Sequence, residues 1–423
     1  MEHATPISDA LVNRGESLAV YLDHNATSPL DPRVRDAMLP WLGELHGNPS
    51  SLHRFGQAAR EAVENARAEV AALLGAEPPE IVFASSGTEA NNAVVFDAAR
   101  RAGFRGRLVI SSFEHPSVRE AAAAVEAGSK DPYRMEHVGM EVVRIDPGRD
   151  GVVPAEEMIA ALTDDTRLVC LMQANNEVGT LQPVRPVAEA CRERGIPILC
   201  DAVQAVGKVP VDVHDLGVDY LTLGGHKFHG PLGVAALWIR SSADFEPYLL
   251  GGSQERRRRA STENVPGVVG LGEACRLARE ELEHRHVFLG TLRDRFERGL
   301  VKIPGSVVHC ADSPRLPHTS HVAFRGIEGE GLLIRLDLAG FAVSTGSACS
   351  SGAVEPSATL LAMGIATEEA LASLRISFGM TNTVDEVDRL LDALAREVAE
   401  LRRLTGRSAE PPRRPETAEV LRT

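Results

Sequence analysis

At 423 residues, 43% hydrophobic and 25% charged, the chain is too long for one hydrophobic core and too apolar for wholesale disorder; a large domain with a smaller companion is expected. A formal charge of −14 argues against a phosphate-backbone footprint, and so against direct nucleic-acid binding. No apolar run approaches the length of a membrane span, and the opening segment carries Glu2, Asp9 and Glu16 without a secretory core, so the expectation is a cytoplasmic protein with no membrane partner.

From 57 to 74 the apolar residues recur at helical spacing, and Gly75 is a stop signal. A strand over 80–84 leads through Ser85 to Glu89 into a helix over 90–101. A strand over 108–112 feeds Glu114-His115-Pro116, and 121–127 reads as helix; the polar stretch 129–139 has no placement. Strands follow at 142–145 and 168–172, then a helix over 184–194 and strands at 196–200 and 218–223. Strand–helix alternation of this kind implies a mostly parallel sheet covered by helices on both faces. After Glu280 the pattern changes to a long charged helix to Val301, strands at 306–309 and 319–324, and a helix over 384–404, which reads as a second, α+β domain. The stretch 405–423, rich in Pro, Arg and Glu, reads as a disordered tail.

Polar clusters follow the apparent strands: Ser85 to Glu89, Glu114-His115, Asn175-Asn176-Glu177, Asp201 to Gln204, and His226-Lys227. In a parallel sheet these are the carboxyl ends, where ligands gather. Lys227 sits in Gly225-His226-Lys227-Phe228-His229-Gly230, where glycines allow close approach and burial beside other cations lowers an amine's pKa. Such an amine suits Schiff-base chemistry, above all with pyridoxal 5′-phosphate (PLP), although a lysine after a strand is more often a solvated loop charge. Ser85-Ser86-Gly87-Thr88-Glu89 opening a helix is either a phosphate seat or a plain N-cap. Asp201 offers a carboxylate for a pyridine nitrogen or forms a turn. His115 either lies against a planar ring and relays protons or is an ordinary loop histidine.

The six cysteines are scattered, with no C-x-x-C pair or metal-ligand spacing. Cys170 and Cys200 lie in strand-like runs and read as buried small hydrophobes. Cys349 stands in the small, polar run Ser344 to Gly352, which suits either a thiol that moves or an incidental surface cysteine.

Taken together, several segments resemble the cysteine desulfurases of the IscS/NifS type, which are class-V aminotransferases. They are Tyr21 to Leu30, His46 to Ser51, Thr88-Glu89-Ala90-Asn91-Asn92, Glu114-His115-Pro116, Ala174 to Gly179, Asp201 to Gln204, His226-Lys227-Phe228, Gly251 to Arg256, Gly346-Ser347-Ala348-Cys349 and Leu374 to Ser377. They occur in family order from about residue 20 to residue 400. The resemblance implies the PLP-dependent transferase fold type I: an α/β large domain at 36–276 around a mostly parallel seven-stranded sheet, and a smaller α+β domain from 1–35 and 277–404. It also implies a homodimer that takes sulfur from L-cysteine, leaves L-alanine, and passes a persulfide on Cys349 to a sulfur-acceptor protein.

By position the resemblance makes Lys227 the Schiff-base lysine, His115 the ring-stacking residue and Asp201 the partner of the pyridine nitrogen. Ser86, Gly87, Thr88 and His226 hold the phosphate, with Thr262 contributed by the other subunit. Gln204 and Asn175 reach the ring's phenolic oxygen or the substrate, and Arg375 binds the substrate carboxylate in a bidentate manner. Three positions depart from the pattern. Gly224 replaces a usual phosphate-binding serine, Leu232 stands where a basic residue is common, and Arg259-Ala260-Ser261-Thr262 replaces R-S-G-T. Selenocysteine lyases also lack that serine, so a selenocysteine lyase, another PLP-dependent β-lyase or an aminotransferase of the same fold are the alternatives.

Overall fold

Residues on successive sheet strands alternate between two apolar cores, which fixes the layering of the larger part of the molecule. The computed structural model describes residues 19–128, 139–346 and 355–408. Seven strands form the main sheet: β1 (Ile81–Ala84), β2 (Arg107–Ser111), β3 (Glu141–Ile145), β4 (Thr166–Cys170), β5 (Ile198–Asp201), β6 (Tyr220–Gly224) and β7 (Ala235–Ile239). Their order is β1-β7-β6-β5-β4-β2-β3. Only β7 runs antiparallel to its neighbours; β6, β5, β4, β2 and β3 pair in parallel.

On one face Val109, Val169, Ile198, Cys200, Leu221 and Leu223 pack with helix α1 (Arg54–Leu74). On the other, Leu108, Ile110, Leu168, Cys170, Leu199 and Tyr220 pack with α2 (Gly87–Arg101) and α3 (Pro116–Ala127). Burial on both sides explains why these strands read as unbroken apolar runs rather than alternating ones. α1 buries Ala59, Val63, Ala66, Val70 and Leu74, a helical stripe, and Gly75 ends it at φ 67°.

The 36-residue helix α4 (Val265–Leu300) joins the two cores. Its first half packs into the main core through Val268, Leu271, Cys275 and Ala278, and its second half carries Leu289, Leu292, Phe296 and Leu300 into a second core. The domain boundary expected at residues 276 and 277 therefore falls inside a continuous helix. From sequence the helix begins at Glu280, because Val265 to Ala278 carries Pro266 and three glycines, which read as helix breakers. Beside it lies an antiparallel sheet of β8 (Ser306–Val308), β9 (Thr319–Phe324) and β10 (Ser373–Ser377), ordered β10-β9-β8. The closing helix α5 (Val384–Thr405) has a capping box in which Thr383 and Glu386 satisfy each other's backbone N–H groups.

A short parallel bridge pairs Val20–Tyr21 with Phe341–Ala342. The chain then crosses the seam between the cores: Asn25 N donates to Ser377 Oγ at 3.0 Å, and Ser28 N donates to the His226 carbonyl at 2.8 Å. This crossing brings Asp23, Asn25 and Ala26 against the carboxyl ends of the main sheet. Residues 129–138 of the unplaced polar insertion, and 409–423 of the expected tail, lie outside the described residues.

Candidate active site

The carboxyl ends of the sheet strands, the crossing segment and β10 enclose a cavity of about 440 Å³. Asp23, Asn25, Ser86, Gly87, Thr88, Asn91, His115, Asp201, Gln204, His226, Lys227 and Arg375 line it. Lys227 ends a single turn, Gly225–Lys227, that follows β6. The turn is tight: a Cβ on Gly230 would lie 2.7 Å from the Gly225 carbonyl oxygen, so only glycine fits there. Lys227 Nζ donates to the carbonyls of Asn25 at 2.7 Å and Ala26 at 2.8 Å. Burial, and then the Arg375 charge, lower its pKa to about 8.

Asp201 is buried at the end of β5. Its Oδ2 accepts from Asn91 Nδ2 at 2.7 Å and its Oδ1 from Val203 N at 3.0 Å. Neither donor is a lysine or arginine, so the carboxylate keeps capacity for a cationic N–H. His115 caps α3: its Nδ1 accepts from Ser117 N at 3.1 Å and meets Ser117 Oγ at 2.8 Å. That bond puts the ring proton on Nε2 and fixes the plane of the imidazole. Burial holds the His115 pKa below the usual histidine range. His226 Nδ1 lies 3.1 Å from Thr27 Oγ1, and burial, then the Lys227 and Lys208 charges, push its pKa down to about 4.

α2 begins at the cavity. Ser86 is its N-cap and accepts from Glu89 N at 3.1 Å, while the first-turn N–H groups of Gly87 and Thr88 have no intrahelical acceptor. A Cβ on Gly87 would meet Val203 Cγ2 at 2.9 Å, so glycine sets the closeness of this helix start to β5. At the opposite wall Arg375 donates from Nη2 to Asp23 Oδ1 at 2.6 Å and from Nη1 to the Asn176 carbonyl at 3.0 Å. Its Nε is buried without a partner among the described residues.

Of the residues expected from sequence, Ser86, Gly87, Thr88, His115, Asp201, Gln204, His226, Lys227 and Arg375 meet in this one cavity. Asn175 does not line it. Its Oδ1 accepts from Glu177 N at 2.8 Å and Val178 N at 3.0 Å, and its Nδ2 donates to the Phe113 carbonyl at 3.3 Å. That amide is taken up in holding a turn, and the neighbouring Asn176 faces the cavity instead. Thr262 is exposed and away from the cavity, and the preceding Ser261 holds φ 96°, a glycine-like conformation. Cys349 lies outside the described residues. Cys170 and Cys200 are fully buried, and burial raises both thiols well above the usual range.

The sequence reading left out Asp23, Asn25, Asn91 and Asn176 as individual residues, though all four fall within quoted segments. Asn91 follows Thr88 by three positions, which places both on one helix face; that spacing is the signal that would have found it. Glu114 was noted only as part of a cluster. It is fully buried, its Oε1 accepts from Ser111 Oγ and Met172 N at 2.7 Å each, and burial raises its pKa to about 8.

A mostly parallel seven-stranded sheet, a strand-end lysine opposite a strand-end aspartate, and a helix start between them define the PLP-dependent transferase fold type I. The comparisons narrow the class. The family profile described as aminotransferase class-V matches residues 20–390, and the chain belongs to that family. It is 43% identical over 391 residues to the cysteine desulfurase IscS of Methanosarcina thermophila, covering 92% of this chain and 94% of the other. It is 41% identical over 387 residues to a cysteine desulfurase of Trichormus azollae, covering 91% and 94%. Among solved structures, a NifS-like protein superimposes with a TM-score of 0.83 at 34% identity, covering 91% of this chain and 100% of that one.

Proposed function

We propose that this chain is a PLP-dependent L-cysteine desulfurase, which forms L-alanine and leaves the sulfur as a persulfide on Cys349. One observation carries the reading: a buried amine with no carboxylate partner among the described residues, Lys227, shares a single cavity with Asp201 and with Arg375. The cavity fits the cofactor. Its helix start offers unpaired N–H groups to a phosphate, Asp201 offers an acceptor to a pyridinium nitrogen, and His115 offers a fixed aromatic ring. The relatives named cysteine desulfurases favour cysteine over the selenocysteine, β-lyase and aminotransferase alternatives.

When bound, PLP supplies an aldehyde for the Schiff base and a ring that stores electrons. The chain does the rest. Arg375 orients the substrate by its carboxylate through the guanidinium that lines the cavity. Lys227 Nζ, with its pKa lowered to about 8, is a base matched to the α-proton and is oriented by its bonds to the Asn25 and Ala26 carbonyls. Cys349, as thiolate, attacks the substrate sulfur: the S–S bond forms as the substrate C–S bond breaks, and the electron pair stays with the carbon that becomes the alanine methyl.

The family pattern extends the proposal to a homodimer and to a sulfur-acceptor protein that takes the persulfide. Leu42, Leu52, Phe55 and Leu250 are all more than half exposed, a surface that a second copy would cover. Among the described residues no helix is long and apolar enough to cross a membrane.

The test is incubation of the purified protein with PLP and L-cysteine, quantification of alanine, and location of the persulfide by mass spectrometry. Lys227→Ala should remove the cofactor's absorbance band. Cys349→Ala should keep the band and lose sulfur release; unchanged turnover in that variant would point to an aminotransferase instead.

A further inference from the structure

Lys208 is a second lysine behind the cavity wall, 5% exposed. Its Nζ donates to Gln204 Oε1 at 2.9 Å, and among the described residues no carboxylate pairs with it. Behind it a chamber of about 20 Å³ is lined by His24, His229, His318, Arg285 and the stem of Lys227, again with no carboxylate. Both nitrogens of His24 and of His318 lack partners there. A chamber of that size holds about one water. Among the described residues nothing around Lys208 offers a negative charge to stabilise an ammonium, and burial with the charges of Lys227 and Arg375 holds its pKa well below the usual lysine range.

The partner of Lys208 faces the cavity. Gln204 lines it, and its Nε2 donates to the Asn25 carbonyl at 3.0 Å, the carbonyl that also accepts from Lys227. With Oε1 occupied by Lys208 and one N–H occupied by Asn25, the amide has one N–H left for a ligand. A glutamine turned the other way would show the cavity an oxygen.

We infer that Lys208 is a positioning residue: an N–H donor that holds the Gln204 amide so that it presents an N–H to a ligand oxygen in the cavity. This rests on the cofactor reading above, under which that oxygen belongs to PLP. Removing the donor leaves Gln204 Oε1 buried without a partner and frees the amide to turn.

The experiment titrates PLP into the full-length protein by absorbance, and follows the pH midpoint of the bound band. Lys208→Met should weaken PLP roughly tenfold, the size of a lost buried hydrogen bond, and should move the midpoint. Lys208→Gln keeps an N–H donor without a charge, and should stay within about threefold of wild type with the midpoint in place. In a Gln204→Leu background Lys208→Met should add less than about twofold, because the two residues act as one unit. An equal loss in both backgrounds would overturn the inference, as would a tenfold loss in Lys208→Gln. Should the methionine variant not fold, the glutamine variant decides alone by the same thresholds. A wild-type protein that binds no PLP overturns the cofactor reading and this inference with it, whereas binding with the wrong variant pattern overturns this inference alone.

Discussion

Glu114→Gln tests the electrostatics of the site most directly. The wild-type carboxyl has a folded pKa of about 8 against 4.5 in the unfolded chain, mainly through burial. Between those values the folded protein holds a proton that the unfolded chain has lost, so stability falls as pH rises, by about 1.4 kcal/mol per pH unit. At pH 7 the accumulated cost is about 3 kcal/mol, and it levels off above pH 8. Glutamine keeps the oxygen that accepts from Ser111 Oγ and Met172 N and carries no titrating proton. The variant should match wild type near pH 4.5 and exceed it by about 3 kcal/mol at pH 7. Urea unfolding at pH 5, 6, 7 and 8, followed by circular dichroism, measures this. A wild-type-minus-variant difference that does not change with pH, or that grows in favour of wild type, would show that Glu114 is ionised in the fold and that burial does not dominate.

Ser261→Gly should raise stability by about 0.5–1 kcal/mol, since φ 96° strains a residue with a Cβ by more than the extra unfolded entropy of glycine; a lowered melting temperature would contradict that. Gly224→Ser should also stabilise, by about 0.5 kcal/mol: the strand φ is −131°, and a Cβ there meets nothing closer than Val203 Cγ1 at 3.6 Å. The added hydroxyl restores the family's usual serine beside His226 and should tighten PLP; weaker binding would show that the position lies off the phosphate path. Arg375→Lys keeps the charge but loses the fork that spans Asp23 and Asn176. It should raise KM for L-cysteine roughly tenfold or more with PLP affinity nearly unchanged, and an unchanged KM would remove Arg375 from the substrate site.

Much of the sheet was legible because its strands are buried on both faces and end in polar clusters. Asp201, Lys227 and the Ser86–Thr88 helix start stood out for that reason. β7 was not, since Ala235 and Ala236 dilute the β-forming character of the run. The first half of α4 was hidden by Pro266 and its three glycines, which read as helix breakers. Asn175 and Asn176 show a finer limit. Adjacent asparagines after one strand look alike in sequence, and only the turn geometry decides which amide caps the backbone and which faces the cavity. The Lys208–Gln204 pair is one helical turn apart, yet its meaning depends on a carbonyl from residue 25, which no local pattern reveals.

The lowered pKa of Lys227 depends on how the chain disposes of its nearby carboxylates. Asp201 and Asp23 both raise the Lys227 pKa through space, and a direct bond to either would raise it further toward the ordinary lysine value. Neither makes one. Asp23 is taken by Arg375 at 2.6 Å, and Asp201 is tethered by Asn91 and by the Val203 N–H. Arg375 thereby acts twice, since its own charge lowers the Lys227 pKa while its fork withdraws the carboxylate that would raise it. Under the roles proposed above, the substrate-binding arginine and the lysine base are coupled through Asp23. On that proposal a substrate carboxylate arriving at Arg375 would screen the first effect and compete for the second, so the basicity of Lys227 would increase with its substrate in place.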